Sequence, residues 1–304
     1  MNPCPVILEA VRLTKKIGKR EVVKDVSFSV RAGEVFGFLG PNGAGKTTTI
    51  RMLTGLVRPS GGRVTVCGFD IRRDFLKAVR QIGCLIEYPE MYPYLTGWEN
   101  LEHFQRMTPG IPKSRVGEVA EMTGLADRIH DRVSTYSLGM RQRLGIAQSL
   151  LGRPKILILD EPANGLDPFG MQEMRTFIRR LAAEEGMGVL ISSHLLNEIQ
   201  LVADRVAILS DGKIIHSGTV GELLARKEKV RWRISPLETG KRILKEEGVD
   251  LYEEDGFLIA SHRPEKAHLF NEKLVKNGAQ VFQIETKLPT LEDLFMELTG
   301  GTSR

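Results

Sequence analysis

The residues Gly40-Pro41-Asn42-Gly43-Ala44-Gly45-Lys46-Thr47-Thr48 have the make-up of a polyphosphate cradle. They follow the pattern Gly-x-x-x-x-Gly-Lys-Thr, between the apolar run Val35–Leu39 and an expected helix over 47–55. Glycines let successive backbone N–H groups curve around phosphate oxygens, and the helix N-terminus adds positive potential. Lys46 is spaced to reach the outer phosphates, and the Thr47 hydroxyl to ligate Mg²⁺. A Gly-rich turn with only a structural task has no need of Lys and Thr at these offsets. A second chemical group closes another apolar run, where Ile156-Leu157-Ile158-Leu159 ends in Asp160-Glu161-Pro162. A buried strand ending there delivers Asp160 beside a Mg²⁺ held through Thr47. Glu161 then faces the attacking water as general base. Many strands end in a charged turn, so the acidic pair gains its meaning from following a phosphate loop in the same kind of sheet.

These groups need a sheet to hold them. The first forty residues alternate like half-buried strands, with Ile7, Glu9, Val11 and Leu13 in one run and Val26, Phe28 and Val30 in the next. Beyond the phosphate loop the pattern predicts a strand Arg63–Val66, a helix over 74–80 and an apolar strand over 81–86. Residues 97–150 read as mostly helical, with Trp98, Leu101 and Phe104 on one face and Val116, Val119 and Met122 on another. From Lys155 the order returns to strand 156–159, helix Pro168–Glu185, strand 189–192, helix 194–202 and strand 206–209. Short apolar strands separated by helices imply a mostly parallel sheet covered on both faces. A second unit starts near residue 228 with strand 229–234, helix 237–247, strands 249–254 and 257–261, helix 264–277, strand 279–284 and helix 290–299. Asp255-Gly256 suits a hairpin turn, and the β-α-β-β-α-β order is that of a ferredoxin-like split.

A length of 304 residues admits a large domain with a small one, and 41% hydrophobic with 27% charged residues is ordinary globular composition. No apolar run approaches the ~18 residues that cross a bilayer. The start lacks a basic region followed by an apolar stretch, so no secretory signal is expected. Cys4, Cys67 and Cys84 are scattered without metal-ligand spacing and read as reduced thiols of a cytosolic protein. The net charge of +5 suits nucleic acid or an anionic membrane surface, but the basic residues are spread out. Arg72-Arg73 and Arg179-Arg180 read as solvated helix faces.

Residues 6 to about 220 resemble the ATP-binding cassette (ABC) subunits of transporters. Tyr136-Ser137-Leu138-Gly139-Met140, followed by Arg141-Gln142-Arg143, stands where that family has its Leu-Ser-Gly-Gly-Gln signature. Gly165-Leu166-Asp167 resembles its D-loop and Ser192-Ser193-His194 its switch-histidine motif. A lone His after a strand is more often structural, but in this company it reads as functional. The resemblance implies an α/β P-loop NTPase core of the ABC ATPase type over 1–226, with a helical subdomain at about 88–150. A small ferredoxin-like α+β accessory or dimerisation domain occupies 227–304. It also implies two cassettes facing head to tail. ATP held by 40–48 of one meets Ser137 and Gly139 of the other, while His194 bonds the γ-phosphate and Asp167 couples the two sites.

Three positions depart from the family pattern. The aromatic that stacks on adenine is Ile17 here, so ring stacking is lost. The family's Mg²⁺-sensing Gln is Glu87, which can ligate metal through water but brings a charge. The signature keeps Ser137 and Gly139 but carries Leu138 and Met140. Together with Glu87-Tyr88-Pro89 and the segment Tyr92–Leu101, the last two departures resemble the subgroup that exports peptide antibiotics such as bacitracin and lantibiotics. The implied protein is an ATP- and Mg²⁺-dependent ATPase at the cytoplasmic face of the membrane. Its expected partners are a second cassette, as a homodimer, and a separate multi-span permease, with no nucleic acid. The alternative is a soluble cassette ATPase acting on the ribosome or nucleic acid. Against it, the small domain's strands lack paired exposed aromatics for base stacking.

Overall fold

The computed structural model describes residues 4–87, 89–225, 229–254, 256–261, 266–287 and 290–298. It divides into two compact units, Met1–Gly218 and Thr219–Arg304.

In the first unit, β1 (Val6–Ile17) and β2 (Arg20–Arg31) form a hairpin that turns through Gly18. With β4 (Gly61–Val66) and β5 (Phe69–Asp70) they make an antiparallel sheet of order β2-β1-β4-β5. The expected alternation along β1 does not hold. Leu8, Ala10 and Leu13 are the buried series, joined by Ile7. Pairing slips between Ala10 and Leu13, where Arg12 adopts φ 48 and its N–H donates to Ser27 Oγ at 2.8 Å. This bulge turns Leu13 back toward the core, a shift that strict period-two reading misses.

The second sheet has the order β10-β9-β3-β8-β7-β6. Its strands are β3 (Val35–Leu39), β6 (Ile82–Leu85), β7 (Ile156–Asp160), β8 (Gly188–Ser193), β9 (Arg205–Ser210) and β10 (Lys213–Thr219). Strands β6, β7, β8, β3 and β9 pair in parallel. β3, β7 and β8 are buried at every position, which is why they read as unbroken apolar runs. Phe28 of β2 lies over Phe36 and Phe38 of β3, with ring centroids 5.2 and 5.1 Å apart, so the two sheets share one core. Phe36 and Phe38 are fully buried, worth roughly 1.5–3 kcal/mol each in transfer from water. Helices α1 (Lys46–Leu53), α2 (Phe75–Val79), α6 (Pro168–Glu185) and α7 (Leu196–Val202) connect the strands. All the parallel strands point their carboxyl ends at one edge, the place where open α/β sheets bind ligands.

The helical segment comprises α3 (Gly97–Met107), α4 (Ser114–Met122) and α5 (Leu138–Leu150). Thr96 and Glu99 form a capping box that starts α3. The Thr96 N–H and hydroxyl donate to Glu99 and hold its carboxyl below the usual range. At Gly97 a Cβ would stand 2.4 Å from the Tyr136 hydroxyl, so only glycine fits there. Arg72 and Arg73, expected on a helix, instead occupy the turn before α2, where their N–H groups donate to the Asp70 carboxylate. Arg179 and Arg180 do lie on a helix, but Arg179 pairs with Asp204 and Arg180 donates to the Met122 carbonyl.

The second unit holds α8 (Val220–Ala225), β11 (Lys229–Ser235), α9 (Leu237–Glu246), β12 (Leu251–Glu254), β13 (Phe257–Ser261), α10 (Ala267–Lys276), β14 (Gln280–Lys287) and α11 (Leu291–Leu298). Its antiparallel sheet has the order β12-β13-β11-β14, the order of a split β-α-β unit. Val230, Trp232, Leu244, Leu258 and Leu274 form its core. α8, expected with the first unit, belongs to the second, where it neighbours α11. The expected turn residue Asp255 lies outside the described residues, as does Tyr88.

Candidate active site

Gly40 takes φ 154 and Gly45 φ 103, backbone open to glycine, and the chain between them curls over the start of α1. Gly45 is the N-cap of α1 and supplies no side-chain hydrogen bond. The first N–H groups of a helix have no partner within it, so this uncapped end presents donors to a ligand. Lys46 is buried, with its ammonium donating to the carbonyls of Gly40 at 2.7 Å and Pro41 at 3.4 Å. The same nitrogen lies 3.3 Å from Glu161 Oε1. Lys46 is thereby aimed along the loop and already faces a carboxylate.

The carboxyl end of β7 brings the acidic pair to this point. Asp160 is buried, and its Oδ1 accepts the Ser192 hydroxyl hydrogen. Glu161 takes φ 53, an uncommon backbone for a side chain with a Cβ. Its N–H donates to the Ser192 carbonyl at 3.2 Å and to Ser192 Oγ at 3.1 Å, which holds that conformation. His194, just beyond β8, places Nδ1 2.8 Å from Glu161 Oε2, and its N–H reaches the same oxygen at 3.3 Å. With a carboxylate as acceptor, the Nδ1 contact requires the proton on Nδ1. Lys46, Glu161 and His194 thus form a chain, with Ser192 tying Glu161 to Asp160.

Lys46, Thr47, Thr48 and Glu161 open on a cavity of about 320 Å³ whose other wall is Arg20, Glu21, Val22, Asp211 and Gly212. These five lie outside the sequence motifs. Asp211-Gly212 is a recognisable turn pair, but nothing near Arg20 marks it. Lys24 donates to Asp211 at 2.7 Å and holds that carboxyl below its usual range, so the turn stays anionic and anchored. Ile17 is 59% exposed at the hairpin tip and is not part of the cavity lining. Glu87 pairs with Arg51 at 2.5 Å and is largely exposed. As hard oxygen donors, Thr47 and Asp160 suit Mg²⁺; Glu87 would first have to exchange its arginine.

The remaining candidates surround a different cavity of about 400 Å³, lined by Ser137, Gly139, Arg143, Asp167 and Glu173 among others. It shares no lining residue with the first. Ser137 caps α5, its Oγ accepting the Met140 N–H at 3.3 Å. Asp167 caps α6, accepting the Gly170 N–H at 2.7 Å, with Pro168 in the first turn. Tyr136 fixes the approach to α5, since its buried hydroxyl donates to the Arg128 carbonyl at 2.7 Å and burial pushes its ionisation up.

The model of the ABC transporter family matches residues 23–164. The chain is 45% identical over 297 residues to an uncharacterized ABC transporter ATP-binding protein, YhcH, of Bacillus subtilis, covering 97% of each chain. It is 38% identical to the bacitracin transport ATP-binding protein BcrA of Bacillus licheniformis, covering 97% of this chain and 98% of the relative. Among solved structures it is similar to cbiO1 of Clostridium perfringens, part of the ABC transporter complex cbiONQ. The TM-score is 0.67 at 26% identity, over 79% of this chain and 95% of that one. Phosphate loop, strand-end carboxylates and signature helix thus occur in a chain that matches such relatives end to end: it belongs to the ATP-binding proteins of ABC transporters and is an ATPase of that family.

Proposed function

We infer that two copies of this chain bind ATP head to tail and drive a separate membrane subunit that exports drugs or peptide antibiotics. The observation that carries this reading is the separation of the two cavities. The phosphate cradle and the Ser137–Gly139 helix end line different cavities, and in this reading one nucleotide touches the first in one copy and the second in the other. In that arrangement Lys46 and the α1 N–H groups hold the phosphates of one copy, and the N-terminus of α5 in the other faces the γ-phosphate. Glu161 takes a proton from the attacking water. His194 orients that carboxylate through its Nδ1–H, which leaves Nε2 as an acceptor for a hydrogen of the attacking water. Thr47 and Asp160 would hold Mg²⁺, with Glu87 nearby through water, and the metal would offset phosphate charge. Asp167, on the signature side, would couple the two sites. Ile17 would meet the base at the mouth of the site without an aromatic stack.

Export of antibiotics is supported by end-to-end similarity to BcrA, whose name is that of a bacitracin transport protein. Peripheral attachment at the cytoplasmic face is consistent with the described helices, none of which is long and apolar enough to cross a membrane. The second unit serves in this reading as an accessory or dimerisation domain.

The test is ATP-dependent dimerisation of Glu161→Gln, followed by light scattering. A dimer that forms with ATP, and is lost when Ser137 is also replaced by Arg, is the expected result. A monomer at saturating ATP overturns the shared site. Purification from detergent-solubilised host membranes should bring down a multi-span partner in fixed ratio. Recovery only with ribosomes or DNA overturns the transport reading and leaves the ATPase standing.

A further inference from the structure

Away from both cavities, a third of about 720 Å³ lies between α1, β4 and the turn before α2. Its floor is apolar, with Met52, Val57 and Ile71, and its rim carries Arg58, Arg63, Arg72 and Arg73. All four arginines are exposed, and none forms an ion pair among the described residues. Cations close by in the chain are matched in part: Arg51 has Glu87 and Lys77 has Asp74. The only carboxylate lining this cavity is Asp70, which is turned onto the N–H groups of Arg72 and Arg73 at 2.8 and 3.2 Å. Lys15 adds a further cation behind the rim, its ammonium donating to the Arg58 carbonyl at 2.9 Å. The wall is shaped by Phe75, whose ring lies where a Cβ on Gly55 would stand, 2.6 Å away. Phe75 is 46% exposed, and its neighbours Leu76 and Leu56 are 69% and 67% exposed.

We propose that this arginine-rimmed cavity seats the phosphodiester headgroup of an anionic membrane lipid, with Leu56, Phe75 and Leu76 entering the interface beside it. Guanidinium groups match phosphate oxygens two at a time. Apolar side chains set among unpaired arginines are the arrangement by which proteins rest on an anionic bilayer surface. A small dissolved anion accounts for the arginines but not for the apolar residues beside them. The proposal deepens the inferred placement of the chain at a membrane, and gives it a direct lipid contact besides any protein partner.

Full-length protein is sedimented with vesicles of phosphatidylcholine alone or mixed with phosphatidylglycerol, at low and physiological salt, and ATP turnover is measured in parallel. Binding is expected only to the mixed vesicles and weakens as salt rises. Arg58→Gln combined with Arg72→Gln should lower partitioning about 30-fold, from the loss of two surface charges. Leu76→Ser should lower it several-fold. Arg242→Gln with Lys245→Gln, exposed cations of the second unit, should change nothing. Normal ATP turnover in each variant shows that it is folded. Equal binding to neutral vesicles, or binding indifferent to the arginine pair, overturns the proposal. So does displacement by inorganic phosphate at matched ionic strength, which assigns the site to a dissolved anion. Absence of vesicle binding with turnover intact also overturns it, and leaves an acidic protein segment as the occupant. Loss of turnover in the unmodified chain counts against the ATPase reading instead.

Discussion

In the proposed head-to-tail arrangement the chain would meet ATP at two helix N-termini, and the structure finishes these in opposite ways. At α1 the capping position is Gly45, which offers no side chain, so the positive end of the helix is left for a ligand. At α5 the cap is Ser137, whose hydroxyl already accepts the Met140 N–H. The first end stands among Lys46, Glu161 and His194. The second stands in a cavity with the Arg143–Glu173 ion pair, whose charges offset each other. An open, charged end can bind phosphate unaided. A capped end in balanced surroundings adds a weaker field, useful only once the phosphates are held elsewhere. Within the proposed shared site the contrast would divide the labour, with one surface capturing the nucleotide and the other recognising that capture.

The sharpest way to break this comparison is at Lys46. Lys46→Ala should abolish ATP binding measured by calorimetry, because the outer phosphates lose their main counter-charge; retained affinity would refute the assignment. Next in size, Glu161→Gln should leave binding in place and lower hydrolysis by ~10²-fold or more, the scale of a lost general base. Wild-type turnover in that variant moves the base to another group. Ser137→Ala should leave binding to single copies unchanged and reduce turnover. Losing the cap should also cost about 1 kcal/mol of stability in denaturant titration. If it weakens binding to the isolated chain, the two ends do not divide the work. The smallest effect concerns the base. Ile17→Tyr should tighten ATP binding a few-fold by adding a stack of about 1 kcal/mol. No change in affinity would place the base against Arg20 instead.

The same contrast explains which parts of the site are legible in the sequence. The cradle was legible because its chemistry is local: Gly45, Lys46 and Thr47 adjoin one another, and the strand before them is buried on both faces. Asp160 and Glu161 were legible for the same reason. Arg20, Val22, Asp211 and Gly212 were not, since they reach the cavity only through the pairing of a hairpin and a sheet edge far apart in sequence. Ser192 is legible as part of a motif, but its bonds to Asp160 and to the Glu161 backbone depend on β7 lying beside β8. The slip at Arg12 was hidden because a bulge is decided by what the strand packs against. Arg72-Arg73 misled as a helix face because the turn through Asp70 precedes α2.

The turn at Asp211-Gly212 has a consequence for how costly nucleotide capture is. The Gly212 N–H donates to the Ala44 carbonyl at 3.1 Å, and the Gly212 carbonyl accepts from Lys24 N–H at 2.7 Å. A Cβ on Gly212 or on Gly45 would press on the Val22 carbonyl, at 2.6 and 2.9 Å, so three distant stretches meet there with no slack. The phosphate loop is therefore braced from behind by the sheet edge. Its ordering entropy is lost when the sheet folds and not when ATP arrives, so more of each phosphate contact is left to show as affinity.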